Sequence, residues 1–218
     1  MKFFQQSFLR ITNDLKKAFV KLLVFDMGHV FIDFEWMAIC EGFCDHAGIS
    51  FTDFKPILKH LASLGYERGN ISTEHFVREL SDRLNKPLTI DEFSRIWNLT
   101  FRENLEMATL LENLKAQCPL YLLSNTNENH YSFLQSNFNV ARHFDELILS
   151  YEIGAQKPEH KIYAEVLKRS GLPGTEIAFF DDLATNIEAA KSAGIENSFL
   201  FTGIDDLKKD LLTLGINF

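Results

Sequence analysis

Three features predict an α/β fold, a parallel sheet covered on both faces by helices. Short apolar segments of strand character alternate with amphipathic segments of helical period. Two of the apolar runs end on acid, at Asp26 and at Asp181-Asp182. After the first strand the alternation stops, and 35–102 carries helical patterns only. Ligands of open α/β sheets bind beyond the carboxyl ends of the strands, so acids placed there face the ligand.

In chain order, Phe4, Phe8, Ile11 and Leu15 fall on one helical face, with Lys2, Arg10, Lys16 and Lys17 among the polar positions. This predicts an amphipathic helical extension, 1–19, packed on the domain, the alternatives being a mobile extension, a membrane-surface contact or a self-association contact. It lacks the unbroken apolar centre and the cleavage site of a secretory signal. Strands are predicted at 20–26, 119–124, 146–150, 177–181 and 198–201, and helices at 129–138, 158–170, 185–193 and 205–214. Within 35–102, Ser50 with Asp53 and Thr89 with Glu92 read as helix-start boxes, and Ser72 as an N-cap. Gly48, Gly65 and Gly69 punctuate the helices. The reading is a core, 20–34 and 103–218, interrupted by an all-helical module placed to cover the ligand edge as a lid.

Composition narrows the partners. The 218 residues suffice for a full core, and the formal net charge is -8. No basic stripe interleaved with aromatics is present, which argues against nucleic acid. No apolar run approaches the ~20 residues of a membrane span, so stable membrane insertion is not expected. Cys40, Cys44 and Cys118 form no paired framework. They read as apolar packing in a reducing compartment, the cytoplasm. Oligomeric state leaves no mark on the sequence.

Four segments carry chemistry. Asp26 ends an apolar strand and is followed by Gly28, which lets backbone approach a ligand closely. Ser124-Asn125-Thr126-Asn127 ends another, offering a hydroxyl and turn N–H groups suited to an oxyanion or phosphate. Lys157 precedes Pro158, which reads as the first residue of a helix. Asp181-Asp182 ends a third strand. Each alone has a plain alternative: a turn or capping residue for the acids and Ser124, a solvated cation for Lys157.

Together, in this order and with a helical insert after the first, the four segments resemble those of the haloacid dehalogenase-like hydrolases, most of which are phosphatases. The resemblance runs from Val20 to the C-terminus. The strings FDMGHVFIDF, LSNTN, KPEHKIY and FFDDLATNIEAA, with Tyr66-Glu67-Arg68-Gly69-Asn70-Ile71-Ser72, look like the subgroup containing bacterial α-D-glucose-1-phosphate phosphatase. The resemblance implies a Rossmann-like core with an inserted helical cap. It also implies Mg²⁺-dependent hydrolysis of a small phosphorylated metabolite, such as the sugar phosphate glucose 1-phosphate. Asp26 would be the nucleophile, forming an aspartyl-phosphate. Mg²⁺ would be held by Asp26, the Gly28 carbonyl and Asp182, with Asp181 the second choice and Asn186 acting through water. Lys157 would neutralise charge, while Ser124 and the Asn125 N–H bind phosphoryl oxygens. Glu67 and Arg68 would reach the substrate from the cap, or form a solvated turn. Trp36 would line the pocket or pack in the core. No metal spacing links His130, His143 and His160.

The chain departs from the family at Gly28, where most members carry a second aspartate that protonates the leaving oxygen. Glycine keeps the carbonyl ligand and loses the acid/base, worth about 10²–10⁴-fold in rate. Three explanations stand: the hemiacetal oxygen of a sugar 1-phosphate is less basic and needs less help, water or a cap residue takes the role, or His29 does, its plain alternative being a turn or cap-hinge residue. Two other functions fit less well. A haloacid dehalogenase needs no divalent metal and lacks the acidic pair, and a mutase needs the acid that Gly28 lacks. A non-catalytic protein that binds a phosphorylated metabolite is a further alternative.

Overall fold

The computed structural model describes residues 19–218. Apart from its last residue, the helical extension expected at 1–19 lies outside the described residues. β1 (Leu22–Phe25) is buried at every position, as a strand covered on both faces must be. A turn through Gly28 and His29 leads into β2 (Ile32–Asp33). Four helices follow: α1 (Trp36–Ala47), α2 (Phe51–Ser63), α3 (Thr73–Leu84) and α4 (Ile90–Trp97), with a 3-10 turn at Tyr66–Arg68 between α2 and α3.

Local sequence sets where these helices start. The hydroxyls of Ser50, Ser72 and Thr89 accept the N–H groups of Asp53, His75 and Glu92. Glu92 returns a carboxylate to the Thr89 N–H and completes a capping box. The helices enclose an aromatic core that includes Phe43, Phe54, Phe76, Phe93 and Trp97. Phe93 stacks on Trp97 with 5.2 Å between ring centroids. Cys40 and Cys44 pack into this core as free thiols.

β3 (Arg102–Glu103) pairs antiparallel with β2, so the chain enters and leaves the helical segment side by side. Then follow α5 (Leu105–Lys115), β4 (Leu120–Ser124), α6 (Glu128–Phe138), β5 (Glu146–Leu149), the helical turn α7 (Ser150–Ile153) and α8 (His160–Ser170). The chain ends with β6 (Ile177–Asp181), α9 (Ala184–Ser192), β7 (Asn197–Leu200) and α10 (Ile204–Thr213).

The five-stranded sheet has the order β5-β4-β1-β6-β7, with every neighbouring pair parallel. Phe25 lies opposite Leu122 on one side and Phe180 on the other. Side chains alternate between the faces. Leu23 and Phe25 pack with Met107 and Leu111 of α5 and Leu207 and Leu211 of α10. Leu22 and Val24 pack with Ile162 and Val166 of α8 and Ile187 and Ala190 of α9. The strand-end residues of β1, β4 and β6 therefore emerge together at one edge.

Two local expectations change. Pro158 does not open a helix; α8 starts at His160, and Pro158 sits in the preceding turn. Helix α5 is an addition, started by the Asn104 side chain accepting the Met107 N–H at 3.0 Å. No helix among the described residues is long and apolar enough to cross a membrane.

Candidate active site

Asp26 follows the last residue of β1, and its N–H donates to the Phe180 carbonyl at 2.9 Å. Sheet order alone brings it beside Ser124, at the end of β4, and Asp181, at the end of β6. Lys157 arrives from the turn before α8. Its Nζ lies 2.5 Å from Asp26 Oδ1 and 2.7 Å from Asp181 Oδ2, with the residue only 3% exposed. An ammonium so buried needs both carboxylates, because an unpaired one loses its hydration without return.

The surroundings fix Lys157 and Asp181 further. The Asn125 side chain donates to the Lys157 carbonyl at 2.9 Å and accepts the Lys157 N–H at 2.7 Å. Asp181 accepts the Leu183 N–H at 2.9 Å and the Asn186 amide at 2.9 and 3.1 Å. Asn186 is held in turn by Tyr163, whose hydroxyl donates to the Asn186 carbonyl at 3.0 Å. The Ser150 hydroxyl accepts the Thr126 N–H and donates to the Thr126 carbonyl, both at 2.9 Å, which shapes the turn after Ser124.

Asp182 completes a cluster. One carboxylate oxygen from each of Asp26, Asp181 and Asp182 lies within 4.8 Å of the others. Burial pushes the Asp26 carboxyl up to about 7; Lys157 counters this and Asp181 reinforces it. Burial, then Asp181, also raises Asp182, with His29 and Lys157 opposing. Burial disfavours the Lys157 charge, yet Asp26 and Asp181 outweigh it and raise the ammonium above its ordinary value. Three carboxylates face one ammonium, so the cluster is short of positive charge. An all-oxygen set of this kind suits a hard divalent cation. Both Asp181 oxygens are already occupied by neighbours, which leaves Asp26 and Asp182 with the freer oxygens.

A cavity of about 290 Å³ adjoins the cluster, lined among others by Gly28, Phe34, Trp36, Glu67, Asn125 and Thr126. It is at the small end of the range for ligand sites. A neighbouring cavity of about 440 Å³ shares the walls Trp36, Glu67 and Trp97.

Residues 20–194 match the profile of the haloacid dehalogenase-like hydrolase family. The chain belongs to this family. It is 29% identical over 186 residues to the D-ribitol-5-phosphate phosphatase of Bacteroides thetaiotaomicron, covering 81% of this chain and 90% of that one. A phosphorylated carbohydrates phosphatase from Thermotoga maritima is 27% identical over 124 residues, 56% of this chain and 57% of that one. A HAD family enzyme from B. thetaiotaomicron, solved with magnesium and inorganic phosphate, superposes with a TM-score of 0.73 at 26% identity, over 83% of this chain and 93% of that one.

Against the family pattern, the departure at position 28 has a steric counterpart. A Cβ on Gly28 would meet the Phe34 ring at 3.1 Å. His29, at φ 54°, stacks on that same ring with 4.3 Å between centroids. The space beside Gly28 is thus filled by an aromatic pair.

Other expected residues are placed variously. Glu67 lines the cavity; Trp36 does too, half-exposed and edge-on to Trp97 at 5.7 Å. Arg68 instead pairs with Glu159, just before α8, at 2.7 Å. Asn186 spends its amide on Asp181. His130 holds a structural post on the cavity wall. Asn127 Oδ1 accepts the His130 N–H, so the Asn127 amide nitrogen faces Nδ1 at 3.2 Å. Nε2 then donates to the Trp97 carbonyl at 3.3 Å, and burial pushes the imidazole down to about 3. Sequence reasoning missed the Asn125 clamp, the Ser150 brace and this His130 bridge. Apart from the small polar run at 124–127, no spacing marks them.

Proposed function

We propose that this hydrolase is a Mg²⁺-dependent phosphatase of small phosphorylated carbohydrates, working through an aspartyl-phosphate on Asp26. The observation that carries the reading is the buried Lys157 bridge between Asp26 and Asp181, with Asp182 completing an oxygen cluster. The relatives act on phosphorylated carbohydrates by name, and a cavity of about 290 Å³ suits a ligand of that size. Phosphorylated sugars and sugar alcohols are the substrate class, with glucose 1-phosphate and ribitol 5-phosphate the two compounds to try first. The acidic cluster argues against a metal-free dehalogenase. Free cysteines fit a reducing cytoplasm.

Asp26 attacks phosphorus as the carboxylate, and the ester oxygen leaves. Water then cleaves the aspartyl-phosphate, releasing phosphate and restoring Asp26. Lys157 holds Asp26 in line and offsets the charge of the phosphoryl group. Ser124 and the Asn125 N–H bind its oxygens from the turn after β4. Asp181 positions Lys157. Asp26, Asp182 and the Gly28 carbonyl would hold Mg²⁺, which when bound neutralises charge on the phosphoryl oxygens. The helical segment 35–102 serves as a cap over the cavity.

The test is phosphate release from a panel of sugar and sugar-alcohol phosphates, with nucleotides as the contrast. Turnover should require Mg²⁺, stop with EDTA, and fall by about 10⁴-fold or more in Asp26→Asn. Turnover that survives Asp26→Asn, or none across the panel, overturns the reading. Nucleotides outrunning the sugar phosphates would overturn the substrate class alone.

A further inference from the structure

A carbohydrate alkoxide leaves poorly without a proton, and no side chain at position 28 can supply one. Among the described residues lining the 290 Å³ cavity, two side chains titrate, Glu67 and His130. His130 has both ring nitrogens engaged. His29 is stacked on Phe34 and is not on that wall. Lys157 is spent on Asp26 and Asp181, and Asp26 and Asp182 face each other in the oxygen cluster assigned above to the metal rather than lining this cavity.

We infer that Glu67 is the proton donor and acceptor of the reaction, delivered to the site from the helical segment. The inference rests on the phosphatase reading above. As the Asp26 oxygen–phosphorus bond forms and the ester oxygen–phosphorus bond breaks, the Glu67 carboxylic acid gives its proton to the departing oxygen. The resulting Glu67 carboxylate then takes a proton from the water that attacks phosphorus. Phosphate leaves, and Asp26 and the Glu67 acid are restored.

The neighbours of Glu67 hold it in place from both sides. Tyr66 is buried, stacks on Phe76 at 4.4 Å between centroids, and shares a 2.8 Å hydrogen bond with Thr73. Arg68 is tied to Glu159, across 91 residues of sequence. Gly69, at φ 69°, sits so close to the Tyr151 carbonyl that a Cβ there would collide with it. With both flanks anchored, Glu67 is held at the wall shared by the two cavities. Enclosure there raises its carboxyl above the usual range; Arg68 and Lys157 oppose the shift. The direction suits an acid that must hold its proton until the leaving oxygen needs it. An acid carried on the helical segment also makes the site complete only while that segment is docked.

Glu67→Gln, assayed with a sugar phosphate and with p-nitrophenyl phosphate, tests this. An aryl oxide leaves without a proton, so the two halves of the role separate. With the sugar phosphate, kcat should fall about 10²–10⁴-fold with KM within a few-fold. With the aryl ester, phosphorylation of Asp26 stays fast while the water step slows. Rapid mixing should then show about one equivalent of nitrophenolate per enzyme before slow turnover. A raised KM with unchanged kcat, or equal losses on both esters with no burst, overturns the proposal. Thermal melting checks folding. If Glu67→Gln does not fold, Glu67→Asp should show the same burst on the aryl ester and none on the sugar ester, and losses on both esters with no burst would overturn the role. If the wild type releases phosphate, Asp26→Asn does not, and the Glu67 variants fail this pattern, only the Glu67 role falls. If the wild type releases none, both readings fall.

Discussion

The sheet and the helical segment 35–102 place residues at and beside one cavity by different physics. The sheet delivers Asp26, Ser124 and Asp181 through strand ends whose register is locked by parallel pairing and by side chains buried on both faces. The helical segment has its own aromatic core and reaches the rest of the molecule through the short β2–β3 pair and a polar seam. In that seam Arg68 meets Glu159, Asn98 meets Asn129 at 2.8 Å, and His130 meets the Trp97 carbonyl. Charge is therefore held where the backbone is least free. Glu67 and Trp36 line the cavity from a part joined to the sheet by that seam and by the stack of Trp97 on His130.

The largest effect should come from the sheet side. Lys157→Ala strips the counter-charge from two buried carboxylates and should cost about 3–5 kcal/mol by urea unfolding. Activity should vanish with it. A loss under about 1 kcal/mol would show that the site is less rigidly coupled than its geometry implies.

The seam should answer to acid. His130 is pushed down to about 3 by burial, whereas an unfolded imidazole titrates near ~6.5. Between these values the unfolded chain binds the extra proton. Stability from this residue is therefore present above about pH 6.5 and lost as pH falls toward 3. The loss at pH 5 should be up to roughly 2 kcal/mol. His130→Gln should flatten that part of the pH–stability curve, and an unchanged slope would place the acid sensitivity elsewhere.

Arg68→Ala should cost global stability no more than about 1 kcal/mol, since its ion pair is partly exposed. It should loosen the docked turn, seen as faster amide exchange over 66–70 and lower kcat on sugar phosphates. Exchange unaltered in that turn would mean the Gly69–Tyr151 contact suffices alone. The smallest effect belongs to His29→Asn. Asparagine tolerates the left-handed backbone that His29 adopts, so turnover should stay within a few-fold. A loss of about a hundredfold in a folded variant would make His29 the proton carrier and remove Glu67 from that role.

Much of the architecture was legible because its causes are local. Continuous apolar runs marked β1 and β6, and hydroxyls three residues ahead of a free N–H marked the starts of α2, α3 and α4. α8 starts at His160 rather than at Pro158, because a rule about fixed φ has no view of the turn that Glu159 builds with Gln156. The strand-end acids stood out because a carboxylate ending a buried strand is a conspicuous break in pattern. The contacts that give those acids different tasks were not legible. Asn125 to Lys157 spans 32 residues and Arg68 to Glu159 spans 91, and neither pairing has a period.

By itself, then, the sequence determined the alternating elements, the helix boundaries set by capping, and acids at the ends of two strands, because propensity, periodicity and capping act within a few residues. Only the tertiary structure decided that Asp181 is spent on Lys157 and Asn186, that Arg68 faces Glu159, and that Glu67 faces the cavity. Those outcomes depend on which strands become neighbours and on how a separately packed helical segment seats against them. Burial then turns these long-range meetings into shifted charges that no local pattern records.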